Sequence, residues 1–185
     1  MILPITVYGN PILRKTAKEI DEDYKGLGEL IDNMFETMYK SEGVGLAAPQ
    51  INKSIRLFII DATPFKEDDP TLKDFKKAII NPEIVEFMGE KKSFNEGCLS
   101  LPGIREDVVR ANKIRILYQD ENFVEHDEVW DGIKARVAQH EYDHLEGKLF
   151  VDRISPIRKR LINGKLNAIN KGKTIPAYKI ILNKK

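Results

Sequence analysis

The stretch from Asp131 to Gly147 constrains the fold more than any other part of this chain. Asp131-Gly132 supplies a helix start with Asp131 as N-cap, and Gly147 supplies a stop, which predicts a helix of about four turns between them. Along it Ile133, Val137, His140 and His144 recur at i, i+4, i+7 and i+11, a single stripe facing the interior. Two imidazoles on an otherwise apolar inward face are costly without partners, so the rest of the fold has to supply them. The same residues form an H-E-x-x-H sequence, His140-Glu141-Tyr142-Asp143-His144. Histidines four apart on a helix lie about 5–6 Å from each other, so both can ligate one metal ion while Glu141 reaches a water on it. That is the layout of a metal-dependent hydrolase.

The elements predicted around this helix are mostly strands. Apolar residues at helical intervals predict an amphipathic helix over Leu27 to Lys40, ending near Ser41-Glu42-Gly43. Small residues follow in Gly43-Val44-Gly45-Leu46-Ala47-Ala48-Pro49-Gln50, where backbone can approach backbone or ligand closely. Ile55 to Asp61 reads as a buried strand, and Ala62 to Lys77 as a solvated loop. Ala78 to Phe87 reads as a strand with an edge or bulge at Pro82. Ile114 to Tyr118 and Phe123 to Trp130 flank Asp120-Glu121-Asn122 as a hairpin. After Ser155-Pro156 a basic amphipathic helix runs towards Gly172, with Ile157, Leu161, Ile162 and Leu166 as its apolar side, and Ile175 to Leu182 adds a last strand. The expected fold is α+β: antiparallel strands packed around a central helix that carries the metal site.

With 185 residues, 42% of them hydrophobic, the chain reads as one globular domain spanning 1–185. No apolar run approaches the roughly 20 residues that span a bilayer, and the start lacks a basic signal region, so a cytoplasmic location is expected. The single cysteine, Cys98, excludes an intramolecular disulfide and suits a reducing compartment. The net charge of +1 hides an asymmetry: Arg153 to Lys185 holds ten Lys/Arg and no acid, which leaves residues 1–152 at −9. A basic segment of this kind either is a solvated helix or docks on nucleic acid.

A catalytic metal site needs a third protein ligand and an open position for water. In zinc endopeptidases that ligand lies downstream, but no His follows His144, while Glu146 and Asp152 sit too close along the chain. Upstream, Cys98 offers the only thiol, and a thiolate beside two neutral imidazoles suits a tetrahedral Fe²⁺, Zn²⁺, Co²⁺ or Ni²⁺. The three segments Gly43 to Gln50, Glu96-Gly97-Cys98-Leu99-Ser100 and Gln139 to His144 together resemble the signature motifs of peptide deformylases, in the same order and at similar spacing. The resemblance runs from Pro11-Ile12-Leu13-Arg14 to Phe150 and weakens after about Arg160.

The resemblance implies removal of the N-formyl group from the initiator methionine of nascent polypeptides, with release of formate. It implies that Cys98, His140 and His144 bind the metal, typically Fe²⁺ in this family, and that Glu141 is the general base. Gln50 and the backbone N–H of Leu99 would hold the developing oxyanion. Val44 and Gly45 would line the substrate groove, where an N-formylmethionyl peptide adds as a strand, and Glu96 would shape its entrance by pairing with Arg105 or Arg110. Arg136 stands where the family usually carries an apolar residue of the methionine pocket; its stem is expected to pack there with its head in solvent. His126, the third histidine, reads as a surface or structural residue. The basic C-terminal segment 153–185 invites contact with ribosomal RNA, as in some members of the family. A catalytically dead homologue that only binds formylated peptides or the ribosome is a further reading, and the presence of Glu141 and Gln50 argues against it.

Overall fold

A computed structural model describes residues 1–183. Strand β3 (Leu57–Asp61) shows how the layers are arranged, because all five of its residues are buried. Leu57 and Ile59 point into a cluster with helix α1 (Leu27–Lys40). Phe58 and Ile60 point the other way, onto Ala135, Val137 and Ala138 of helix α2 (Gly132–Leu145). The continuous apolar run in β3 therefore reflects a sheet covered on both faces, with α2 held against the inner one.

That sheet has five antiparallel strands in the order β2-β3-β4-β5-β6, with β2 at Gly45–Ala47, β4 at Lys76–Gly97, β5 at Arg105–Gln119 and β6 at Glu125–Asp131. The α+β architecture and its central helix are as the sequence predicts. Strand β4 is far longer than expected: it continues past Phe87 to Gly97 and pairs with β5 from Arg105 onward. The extension was hidden because residues 89–95 are mostly exposed and charged or polar on both faces, so no apolar alternation marks them. The bulge expected at Pro82 lies in the register shift between Ile80 and Glu83. There Asn81 takes φ 49, and its amide bridges Ile20 O at 2.7 Å and Gln119 Oε1 at 2.9 Å.

Other departures are local. The segment from Ala62 onward contains two short 3-10 turns, Thr63–Phe65 and Pro70–Leu72, with Leu72 buried as its anchor. Asp131 makes no side-chain cap; it still pairs with Lys113 in β6, and Gly132 at φ 57 makes the turn into α2. At the other end Gly147, at φ 67, ends the helix as expected. Helix α3 (Pro156–Asn170) buries Ile162, Leu166 and Ile169 and leaves Ile157 and Leu161 exposed, so its apolar side is rotated from the expected one. The last strand shrinks to β7 (Ile180–Ile181), which pairs in parallel with β1 (Ile5–Thr6). Among the described residues no helix is long and apolar enough to cross a membrane.

Candidate metal centre

Cys98 sits one residue beyond the end of β4, in the turn that leads to β5, and meets the inner face of α2 there. The ligand atoms of Cys98, His140 and His144 all lie within 4.8 Å of one another. Cys98 Sγ is 3.3 Å from His144 Nε2, and the two imidazoles meet edge-on with centroids 5.2 Å apart. Metal–sulfur bonds of about 2.3 Å and metal–nitrogen bonds of about 2.0–2.1 Å in a tetrahedron require this kind of spacing. His140 Nδ1 lies 2.9 Å from the Glu96 carboxylate, which leaves its other ring nitrogen for a cation. Burial holds His144 well below the ordinary imidazole pKa, in the neutral form a ligand needs. Burial also disfavours charge on His140, but bonds to Cys98 and Glu96 outweigh it and raise its pKa, so the centre favours a positive charge. One soft sulfur and two nitrogens around a position that attracts positive charge fit a divalent transition metal.

Glu141 is buried beside the ligands; its Oε2 has no hydrogen-bond partner, and burial pushes its carboxyl up to about 7. Strand β2 crosses directly above it: a Cβ on Gly45 would collide with Glu141 Oε1 and come within 2.9 Å of Val137 Cγ1. Any side chain at that crossing would displace the Glu141 carboxylate and press on Val137, so glycine keeps both in place. Gln50, in the 3-10 turn Ala48–Ile51, is oriented by the Ala47 N–H, which donates to its Oε1 at 2.8 Å. Its Nε2 then reaches Ser100 Oγ at 3.2 Å and Cys98 Sγ at 3.5 Å. The N–H of Leu99 finds no acceptor among the described residues. Val44, Gly45, Gln50, Cys98, Leu99 and Glu141 line one cavity of about 720 Å³, within the usual range for small-ligand sites.

One expected role is extended in the structure and one changes. Glu96 pairs with Arg110, one of its two expected partners, and not with Arg105, which binds Asn95; its buried carboxylate takes Arg110 Nε at 2.7 Å, Arg136 Nη1 at 3.0 Å and His140. Burial alone would raise the Glu96 pKa, but the His140 and Arg110 bonds keep the carboxyl ionised well below the usual range. It therefore orients a candidate ligand while also lining the cavity. Arg136 does not snorkel: its guanidinium is buried on Glu96, Val108 O at 3.0 Å and Lys92 O at 2.6 Å, while its stem lines the cavity. His126 lies away from the centre, stacked on Tyr118 and bonded to Asp120 at 2.9 Å, a structural residue as read from sequence.

Sequence reasoning named the Glu96–Arg110 pair but missed its burial behind the candidate ligands and its links to Asp143 and Arg153. Arg110 bridges Glu96 to Asp143, with Nη1 at 2.7 Å from the Asp143 carboxylate, and Arg153 closes on the same carboxylate at 2.5 Å. A signal was present: Arg136 and Asp143 share the helical stripe of His140, and Glu106, Val108 and Arg110 alternate inward along β5. Tyr178, whose hydroxyl donates to Leu99 O at 2.7 Å, had no local signal.

Comparison with known proteins places the chain clearly. Residues 2–160 match the polypeptide deformylase family model. The peptide deformylases of Flavobacterium johnsoniae and Christiangramia forsetii are 54% and 52% identical over 187 residues, covering 97% of this chain and 95% of each relative. Among solved structures, the peptide deformylase from Thermus thermophilus superposes with a TM-score of 0.83 at 37% identity, covering 94% of this chain and 100% of that one. The peptide deformylase from Legionella pneumophila gives 0.81 at 40% identity, covering 94% and 98%.

Proposed function

Because this chain belongs to the peptide deformylase family, we propose that the cavity beside α2 is its deformylating centre, with Cys98, His140 and His144 holding one divalent cation. The enzyme is a metal-dependent hydrolase that removes the N-formyl group from the initiator methionine of nascent polypeptides and releases formate. A cation held there supplies Lewis-acid polarisation and a water acidic enough to react near neutral pH.

In this reading Glu141 takes the proton of the attacking water and later passes it to the leaving amine, the two tasks of one general base and acid. Its isolation from other hydrogen-bond partners keeps the carboxylate available for both. The Gln50 amide, already fixed by Ala47, and the Leu99 N–H receive the negative charge that develops on the formyl oxygen, each worth about 3–4 kcal/mol when preorganised. The peptide lies along Val44 and Gly45 as an added strand. The stem of Arg136 forms part of the wall against the methionine side chain, and Glu96 holds His140 in place. A thiolate donates more charge than a carboxylate, which makes the ion a milder Lewis acid; Fe²⁺ is the cation we favour in the cell, with Zn²⁺, Ni²⁺ and Co²⁺ as substitutes. The observation that carries the reading is the convergence of one thiol and two imidazoles beside a buried carboxylate with an unpartnered oxygen. Purified without oxygen and loaded with Fe²⁺ or Ni²⁺, the protein should release formate from a formyl-methionyl peptide; folded, metal-loaded protein that releases none would refute it.

The whole chain, 1–185, works as one cytoplasmic catalytic domain in this reading, and its basic segment 153–185 touches the ribosome. The exposed face of α3, where Ile157 and Leu161 stand beside basic residues, supports that contact. Salt-sensitive cosedimentation with ribosomes, lost when Arg160 and Lys165 become Glu, is the corresponding test.

A further inference from the structure

Three consecutive carbonyls in the turn that carries Cys98 are held from three different places. Leu101 N–H donates to Cys98 O at 2.9 Å and closes the turn on itself. Tyr8 N–H, just after β1, donates to Ser100 O at 2.9 Å. Between them the Tyr178 hydroxyl donates to Leu99 O at 2.7 Å, from 79 residues further along the chain. The Leu99 N–H in the middle of this arrangement is left without an acceptor among the described residues.

Tyr178 is itself held at both ends of its segment. Where α3 stops, Gly172 takes φ 67 and Lys173 N–H returns to Ala168 O at 2.8 Å. Leu182 packs so close to Gly172 that a Cβ there would lie 2.6 Å from its Cδ1. Past Tyr178, Lys179 O accepts from Ile5 N–H at 2.8 Å, and β7 pairs with β1. Thr174, Ile175, Pro176 and Tyr178 are thereby stretched across the molecule as one side of the cavity that also contains Gln50, Cys98 and Glu141.

An oxyanion donor contributes most when it needs no reorganisation at the moment of reaction. The Cys98 carbonyl bond fixes the peptide plane that carries the Leu99 N–H, and the Leu99 carbonyl bond fixes the plane after it. We propose that Tyr178 is a positioning residue for deformylation, holding the Cys98-Leu99-Ser100 turn so that the Leu99 N–H stays aimed at the formyl oxygen, and that Thr174 to Tyr178 is a wall of the active site. This inference rests on the deformylase reading given above.

Tyr178→Phe keeps the ring and removes only the hydroxyl. With full-length, Ni²⁺-loaded enzyme and a formyl-methionyl peptide, kcat should fall roughly fivefold to tenfold, the scale of one lost hydrogen bond, with KM and metal content unchanged and Tm lowered by no more than about 2–4 °C. Three results would overturn the proposal: parental kcat in the variant, a rise in KM alone, or a loss of rate that only follows lost metal or lost folding. A parental enzyme that is metal-loaded yet inactive would instead refute the deformylase reading itself.

Discussion

Helices α1 and α2 each run for 14 residues and each lies against the same sheet, but they are buried in opposite ways. The inner face of α1 is hydrocarbon apart from Thr37, whose hydroxyl is hydrogen-bonded: Leu27, Leu30, Ile31, Met34, Phe35 and Met38. That of α2 contains Arg136, Gln139, Glu141, Asp143 and His144 among only a few apolar residues. Packing α1 needs mainly shape and apolar area, and no buried charge. Packing α2 needs a partner for every charge, and β4 and β5 supply them through Glu96 and Arg110. Two atoms of α2 are left without a partner among the described residues, Glu141 Oε2 and His144 Nδ1, and both belong to the candidate metal centre. The contrast teaches that polar burial on α2 is organised around the candidate ligands, whereas burial on α1 supports the fold in general.

The largest effect that separates the two helices is catalytic. Glu141→Ala should keep its metal and its Tm while kcat falls by about 10²- to 10⁴-fold, the usual contribution of general acid–base catalysis. Steady-state kinetics with metal analysis checks this, and substantial turnover in the variant would remove Glu141 from the mechanism. Next in size is the charge network. Arg110→Met leaves Glu96 and Asp143 short of a buried cation and should cost about 3–5 kcal/mol in urea unfolding. Because Glu96 orients His140, the same variant should weaken metal binding by about 10- to 100-fold. Met34→Ala, a cavity under α1, should cost a similar or smaller amount, about 2–5 kcal/mol, yet bind metal as the parent does. Equal metal affinity in the two variants would erase the distinction between the helices.

Both helices were legible in the sequence, and for the same reason: a period of 3.6 residues is visible within one element, and the chemistry of His140, Glu141 and His144 sits on it. The third candidate ligand followed from chemistry as well, since Cys98 is the only thiol. What was not legible depends on distant pairing. Residues 89–95, apart from Gly89 and Phe94, carry charged and polar side chains on both faces, so that part of β4 has no apolar alternation to betray it. Arg110 and Glu96 look like surface charges until the register sets them opposite α2. The apolar side of α3 was misplaced because Ile157 and Leu161 fit a helical stripe as well as Ile169 does, and only contact with the rest of the fold distinguishes them.

The smallest effect marks where the contrast between buried charge and hydrocarbon fades out. Asp152 lies in the 3-10 turn Phe150–Asp152 between α2 and α3, paired with Arg14 and with Lys159 at 2.9 Å, and its side chain is 27% exposed. Burial pushes its carboxyl up, but the bonds from Arg14, Leu149 N–H and Lys159 prevail and hold it at about 2. Its folded pKa lies below its unfolded value, so between the two the unfolded chain binds more protons and stability rises with pH. The contribution is complete above about pH 5 and is lost as pH falls towards 2; after allowance for solvent screening it should be about 1 kcal/mol or less. Parent and Asp152→Asn unfolded in urea should therefore differ most near pH 6 and converge near pH 2–3. A gap that stayed constant across that range would mean that the Asp152 carboxylate stabilises nothing by its charge, leaving the buried network behind the ligands as the place where ionisation matters to this fold.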